Sequence, residues 1–162
     1  NNYIYVIGGN SGNYGSQIFH NEILYAKVAD DGILSETEKD GKRSTWHYAS
    51  RSLPLQLIDH ASVSIGRYIF VLGGRDGVEG NDDKEEYNKS KDIVYFYIED
   101  TGDLQSLQKD VDLPEPLFHH AAVADINTEA NSINIYVTGG AGGNTADPDN
   151  RKNTVHHFRA TQ

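Results

Sequence analysis

A short apolar stretch closed by two glycines occurs three times in this chain. It reads Tyr3-Ile4-Tyr5-Val6-Ile7-Gly8-Gly9, then Tyr68-Ile69-Phe70-Val71-Leu72-Gly73-Gly74, then Ile135-Tyr136-Val137-Thr138-Gly139-Gly140. The first glycines of the pairs, Gly8, Gly73 and Gly139, stand 65 and 66 residues apart. Self-similarity at a fixed period is the mark of a repeat architecture, in which one supersecondary unit is used again and again. A strand with one wet face alternates apolar and polar residues, so an unbroken apolar run predicts a strand covered on both faces. The glycines that follow allow a backbone turn that a side chain would block.

The rest of each unit repeats as well. Residues 22–29 (EILYAKVA) correspond to 92–99 (DIVYFYIE), and Asp31-Gly32 to Thr101-Gly102. Leu34 corresponds to Leu104, Leu53-Pro54 to Leu113-Pro114, and His60-Ala61-Ser62-Val63 to His120-Ala121-Ala122-Val123. With the strands of one unit named a (His-Ala-x-Val), b (ending in Gly-Gly), c and d, the chain reads b-c-d, a-b-c-d, a-b-c. The units span 1–54, 55–114 and 115–162. Residues 10–20, 75–91 and 141–152 are rich in turn formers and are expected to be b–c loops. An outer strand is expected within 44–50, and a longer hairpin at 125–133 in the third unit.

These residues resemble kelch-type β-propeller repeats, and most closely those of exported bacterial kelch-like proteins. The carriers are the Gly-Gly strand, the c strand led by Ile23, Ile93 or Val155, the Gly-x-Leu turn, and Leu-Pro followed by His-Ala-x-Val. The resemblance covers essentially the whole chain and implies an all-β propeller of four-stranded antiparallel blades. Two departures stand out: Leu57 and Leu117 occupy the place of an Arg, and the Trp expected after Gly-x-Leu is missing. About two and a half blades are present, whereas a closed ring takes roughly four to eight. The expectation is therefore a segment of a six- or seven-bladed ring, completed by a longer chain or by other subunits.

Composition narrows the partners. The 162 residues carry a formal charge of −10, which does not suit a nucleic-acid backbone. No apolar run approaches the roughly 18 residues of a membrane span. Cysteine is absent, so these residues offer no disulfide, no thiolate metal site and no tyrosine–cysteine cross-link of the kind found in kelch-type copper oxidases. The first residue is Asn1 rather than Met, so a removed leader or a longer chain is expected; the resemblance implies an extracellular or periplasmic protein, with a cytoplasmic one as the alternative.

In a propeller the b–c loops and the d–a connections emerge on one face, which gathers the candidate site. Asn10, Tyr14, Arg75, Asp76, Tyr87 and Asn144 are expected to contact a protein or carbohydrate ligand there. Asp59, His60, His119 and His120 are expected at the channel mouth. The plain role of His60 and His120 is repeat packing, each bonded to a neighbouring backbone group. A metal shared between them is disfavoured, because adjacent sheets lie about 10 Å apart while two nitrogens on one zinc lie about 3–4 Å apart. Asp82, Asp83, Glu85 and Glu86 form an acidic run of the kind that suits Ca²⁺, but no fixed-spacing motif is present, so a solvated loop is the reading preferred and no cofactor is expected. The function expected is a non-enzymatic binding or scaffolding module acting through the b–c loop face. The alternative is a sugar-acting, epimerase- or mutarotase-like enzyme that uses Asp59 with His60, His119 or His120 to move a proton.

Overall fold

In a computed structural model of the chain, residues 2–13, 17–76, 88–106, 111–142 and 151–161 are described. All regular elements among them are β-strands, and no helix is long and apolar enough to cross a membrane. In the first unit, β1 (Tyr3–Ile7) leads through β2 (Asn10–Ser11) and β3 (Ile18–Phe19) into β4 (Ile23–Val28). β1 and β4 pair antiparallel, with Tyr3 opposite Lys27 and Ile7 opposite Ile23. The far edge of β4 is shared by two short pieces, β5 (Leu34–Ser35) beside Lys27 and Val28, and β8 (His47–Tyr48) beside Leu24 and Tyr25.

Between those pieces the chain makes a hairpin, β6 (Thr37–Lys39) with β7 (Lys42–Ser44). The outer strand is thus split, not confined to 44–50. The cause is Asp40-Gly41, whose φ angles of 52° and 74° give the two-residue turn that suits the twist of paired strands.

The second unit is the complete one. β9 (Leu57–Ile58) precedes a four-stranded meander of β10 (Ala61–Ile65), β11 (Tyr68–Leu72), β13 (Ile93–Ile98) and β14 (Leu104–Ser106), while β12 (Arg75–Asp76) turns back to pair with β9. The third unit is a three-stranded meander of β15 (Phe118–Asn127), β16 (Ser132–Ala141) and β17 (Val155–Thr161). Its a–b turn is shorter than the sequence suggests, because 125–127 and 132–133 continue the two strands. The b–c connections also differ from plain loops: each opens as a paired stem, Asn10 with Phe19, Arg75 with Lys89, and Ala141 with Arg151.

The three sheets lie in a row, with the second between the others. Ile69 and Val71 pack with Leu57 of their own unit toward Ile23 and Leu53 of the first, while Phe70 and Leu72 pack toward Ile133, Ile135 and Val137 of the third. Period-2 alternation on β11 therefore places every second residue in a different core, which is why the run is apolar throughout. Main-chain bonds continue from unit to unit: Gly9 N donates to Leu57 O at 2.9 Å, and Gly74 N to Leu117 O at 2.8 Å. Leu57 and Leu117 are themselves buried, at 2% and 0% exposure, so both are core positions.

A polar clasp holds the outer rims of the first two units together. Asp103 accepts bonds from Ser50 N (2.7 Å), Ser50 Oγ (2.6 Å), Lys39 Nζ (2.9 Å) and Leu104 N (2.8 Å). The inserted hairpin thus has a structural use, since it delivers Lys39. Burial alone would push the Asp103 carboxyl up, but these bonds outweigh it and hold the pKa at about 2. Because this value lies below that of the unfolded chain, the clasp stabilises fully above about pH 4 and is lost as pH falls toward 2. The expected contribution, allowing for partial exposure, is about 1–2 kcal/mol. Urea midpoints measured from pH 5 to pH 2 should fall more steeply for the natural chain than for Asp103→Asn; parallel curves would refute the clasp.

Candidate functional site

The polar cluster begins with two strained backbones. Asp59 and His119 occupy equivalent places, just before the a-strand histidine, and both are left-handed at φ 56° and 55°. For a residue with a side chain this conformation costs about 1 kcal/mol or more, and it turns both side chains away from their own strands. The β9–β12 register sets Ile58 opposite Arg75, so the next residue, Asp59, meets the guanidinium. Arg75 Nε donates to Asp59 Oδ2 at 2.7 Å, and Nη2 bonds the same oxygen. The other oxygen, Oδ1, lies 3.1 Å from His119 Nε2. The main chains join as well, His119 N donating to Asp59 O at 2.9 Å. Under the guanidinium lies Phe118, its ring centre 4.8 Å from Cζ, a cation–π contact that sets the plane of the Arg.

Three of the residues expected at this face are therefore brought together: Asp59, His119 and Arg75. The cluster spans two consecutive units. Arg75 and Asp59 are largely covered, at 18% and 23% side-chain exposure, whereas His119 is 52% exposed and presents its ring to solvent. Phe118 was not anticipated as part of the site; its only sequence signal is an aromatic residue immediately before His119.

His60 and His120 are turned inward, between main chain and glycine. Each lies against a main-chain group, His60 against that of Leu57 and His120 against that of Leu72, and each also packs against a glycine: a Cβ on Gly74 would stand 2.8 Å from His60 Cβ, and one on Gly140 2.9 Å from His120 Cβ. Nδ1 of His60 and both ring nitrogens of His120 are buried without a hydrogen bond of ordinary geometry. Burial pushes both imidazoles below their usual pKa. Asp59 and the Leu57 main chain oppose the shift at His60, and the Leu72 main chain opposes it at His120, to which His60 adds a further lowering. Both rings are neutral near pH 7.

The other expected contacts separate from the cluster. Asp76 is committed to its own stem, accepting from Asn88 N at 2.9 Å and Asn88 Nδ2 at 3.1 Å. Asn10 is exposed on the first stem, opposite Phe19. Tyr14, Tyr87 and Asn144, and the acidic residues Asp82, Asp83, Glu85 and Glu86, lie outside the described residues. Among the described residues no three His, Asp or Glu side chains are grouped so as to hold a metal ion.

No protein-family model and no curated protein matches the chain. Among solved structures, one described as "Structure of YjhT" aligns with a TM-score of 0.58 at 11% identity. The alignment takes in 99% of this chain and 43% of that one, so the chain spans less than half of that protein's length. The likeness is one of fold.

Proposed function

We propose that the chain is part of a kelch-type β-propeller and that its loop-bearing end binds a carbohydrate or protein ligand around Arg75, Asp59 and His119. The observation that carries this reading is the cluster itself. It is made by two left-handed residues and a b–c stem from two consecutive repeats, and none of its three polar side chains belongs to the two apolar cores. Backbone strain at equivalent positions of neighbouring repeats is a reason to look for function there.

The propeller part of the proposal draws on the sheet edges. Gly8 N bonds Glu22 O and Val28 N bonds Asn2 O, so the alternation along β1 turns the main-chain groups of Tyr3, Tyr5 and Ile7 away from β4. Ile4 and Val6 on this unit are each 47% exposed, and Val123 and Val155 on the third unit 62% and 65%. Apolar faces and open edges of this kind suit further sheets of a ring.

Binding is favoured over proton transfer because both oxygens of Asp59 are engaged, one by Arg75 and one by His119. A general base needs a lone pair aimed at substrate. The test is ligand-observed NMR of the full chain against a panel of neutral and acidic sugars, repeated with Arg75→Ala and His119→Ala. Ligands that bind the natural chain should weaken at least about tenfold in both variants. Unchanged binding would move the site elsewhere, and turnover of a sugar by the natural chain that His119→Ala abolishes would replace the binding reading with the enzymatic one.

A further inference from the structure

The first b–c stem holds a second polar arrangement, separate from the Arg75 cluster. Ser11 Oγ lies 2.8 Å from His20 Nε2, and His20 Nδ1 lies 3.3 Å from Glu22 Oε2. We propose that Ser11 is an activated nucleophile that accepts acyl groups from carboxylic esters, with His20 as its base and Glu22 as the group that positions His20.

The geometry follows from the strand pairing. In the β2–β3 ladder Asn10 faces Phe19 and Ser11 faces Ile18, so His20 stands on the diagonal from Ser11 and on the same face. His20 and Glu22 are two residues apart in extended chain and share that face too. His20 N donates to Gly9 O at 2.9 Å and Gly8 N to Glu22 O at 3.0 Å, which pins both residues to the base of the stem. Each ring nitrogen then has its own partner. A proton on Nδ1 directed at Glu22 leaves Nε2 as the acceptor facing the serine, the division of labour a nucleophile–base–orienter set requires. Main-chain N–H groups, those of Glu22 itself first and that of Asn21 at 3.1 Å, together with His20, keep the Glu22 carboxyl below its usual pKa, so it is ionised near neutrality.

The repeat supplies an internal comparison. The bonds to the Gly-Gly pair make His20 equivalent to Ser90 and Lys152, and Glu22 equivalent to Asp92 and Thr154. The place of Ser11 is taken by Asp76 and Gly142. Neither other unit has a serine at the Ser11 place or a histidine at the His20 place, so the stem does not require these side chains. They are also reachable, with His20 and Glu22 35% and 48% exposed.

The step balances without any other cofactor. Ser11 Oγ attacks the ester carbonyl as its proton passes to His20 Nε2. The C–O bond to the alcohol then breaks, and the alcohol leaves with that proton. Water, activated by the same imidazole, attacks the acyl-serine and releases the acid. An exposed relay does not exclude water from the reacting groups, so activated esters should react well and unactivated ones slowly.

The test uses the full chain with p-nitrophenyl acetate, following the acyl adduct by intact mass and locating it by peptide sequencing. Acetylation at Ser11 is expected, absent in Ser11→Ala and slowed at least about 100-fold in His20→Gln. Glu22→Gln should slow it less and shift its pH dependence downward, because the imidazolium loses a neighbouring negative charge. All three residues sit on an exposed stem, so urea midpoints should stay unchanged and loss of the adduct would not reflect unfolding. Acetylation only at His20 or at lysines, or a Ser11 adduct that forms as fast in His20→Gln, overturns the proposal.

Discussion

Gly73→Ala is expected to destabilise the chain by more than about 3 kcal/mol, enough to leave much of a marginally stable domain unfolded. Gly73 has φ 57°, where an added side chain is strained whatever the surrounding space. Its Cβ would also stand 2.4 Å from Leu117 O, 2.9 Å from His120 Cε1 and 3.1 Å from Leu113 Cδ1. The first of these is backbone and cannot swing away. Leu117 O is also the acceptor for Gly74 N at 2.8 Å, so relief of the clash would pull apart the junction between the second and third units. Gly139 offers a built-in control. It is the same position in the third unit, at φ 71°, but among the described residues its Cβ would meet nothing nearer than Lys152 O at 4.0 Å. Gly139→Ala should therefore carry only the conformational cost, about 1 kcal/mol. Urea unfolding of the two variants separates the effects, and equal losses would show that the close approach at Gly73 does not matter.

Phe96→Ala should cost about 3–5 kcal/mol. Phe96 is fully buried on β13, in the core between the first and second units with Ile69, Val71, Ile98, Leu104, Leu53 and Leu57. Truncation removes the apolar contacts of a whole ring and leaves a void lined by residues from two sheets. Neither sheet can collapse alone to fill it, because β13 is held on both sides, by β11 and by β14. Val123→Ala is the contrast: Val123 is 62% exposed, so its truncation should stay within about 0.5 kcal/mol. A Phe96→Ala variant that unfolds at nearly the natural urea midpoint would mean that the two sheets do not rely on each other.

Some features that first look irregular had a local signal. Asp40-Gly41 marks the hairpin that divides the outer strand, and it is the dipeptide best suited to a two-residue turn. The polar surroundings hid it: Thr37-Glu38-Lys39 and Lys42-Arg43-Ser44 carry no apolar alternation, because the hairpin projects from the sheet and buries little. The same holds for the b–c stems, whose short pairings rest on main-chain bonds and leave little trace in side-chain pattern.

The site was legible only in part. Asp59, His119 and Arg75 stood out as polar residues next to the ends of repeated strands, which the period alone places on one rim. Their contact with one another was not legible. Likewise, the histidines at 60 and 120 announced a repeated role, but whether their nitrogens found partners depended on how closely Gly73, Gly74 and Gly140 approach them.

The sequence by itself determined the repeat, the order of strands within each unit and the burial of β11 on both faces. Those properties are local: side-chain alternation has a period of two, and glycine alone enters the turn after each b strand at little cost. Only the tertiary structure decided that Asp59 is shared between Arg75 and His119, that Asp103 of one unit is clasped by Lys39 and Ser50 of another, and that Ser11, His20 and Glu22 line up on one stem. Each of these depends on distances between segments far apart in the chain or on opposite sides of a turn. Those distances are set by sheet stacking and left-handed turns, and no single stretch of residues encodes them.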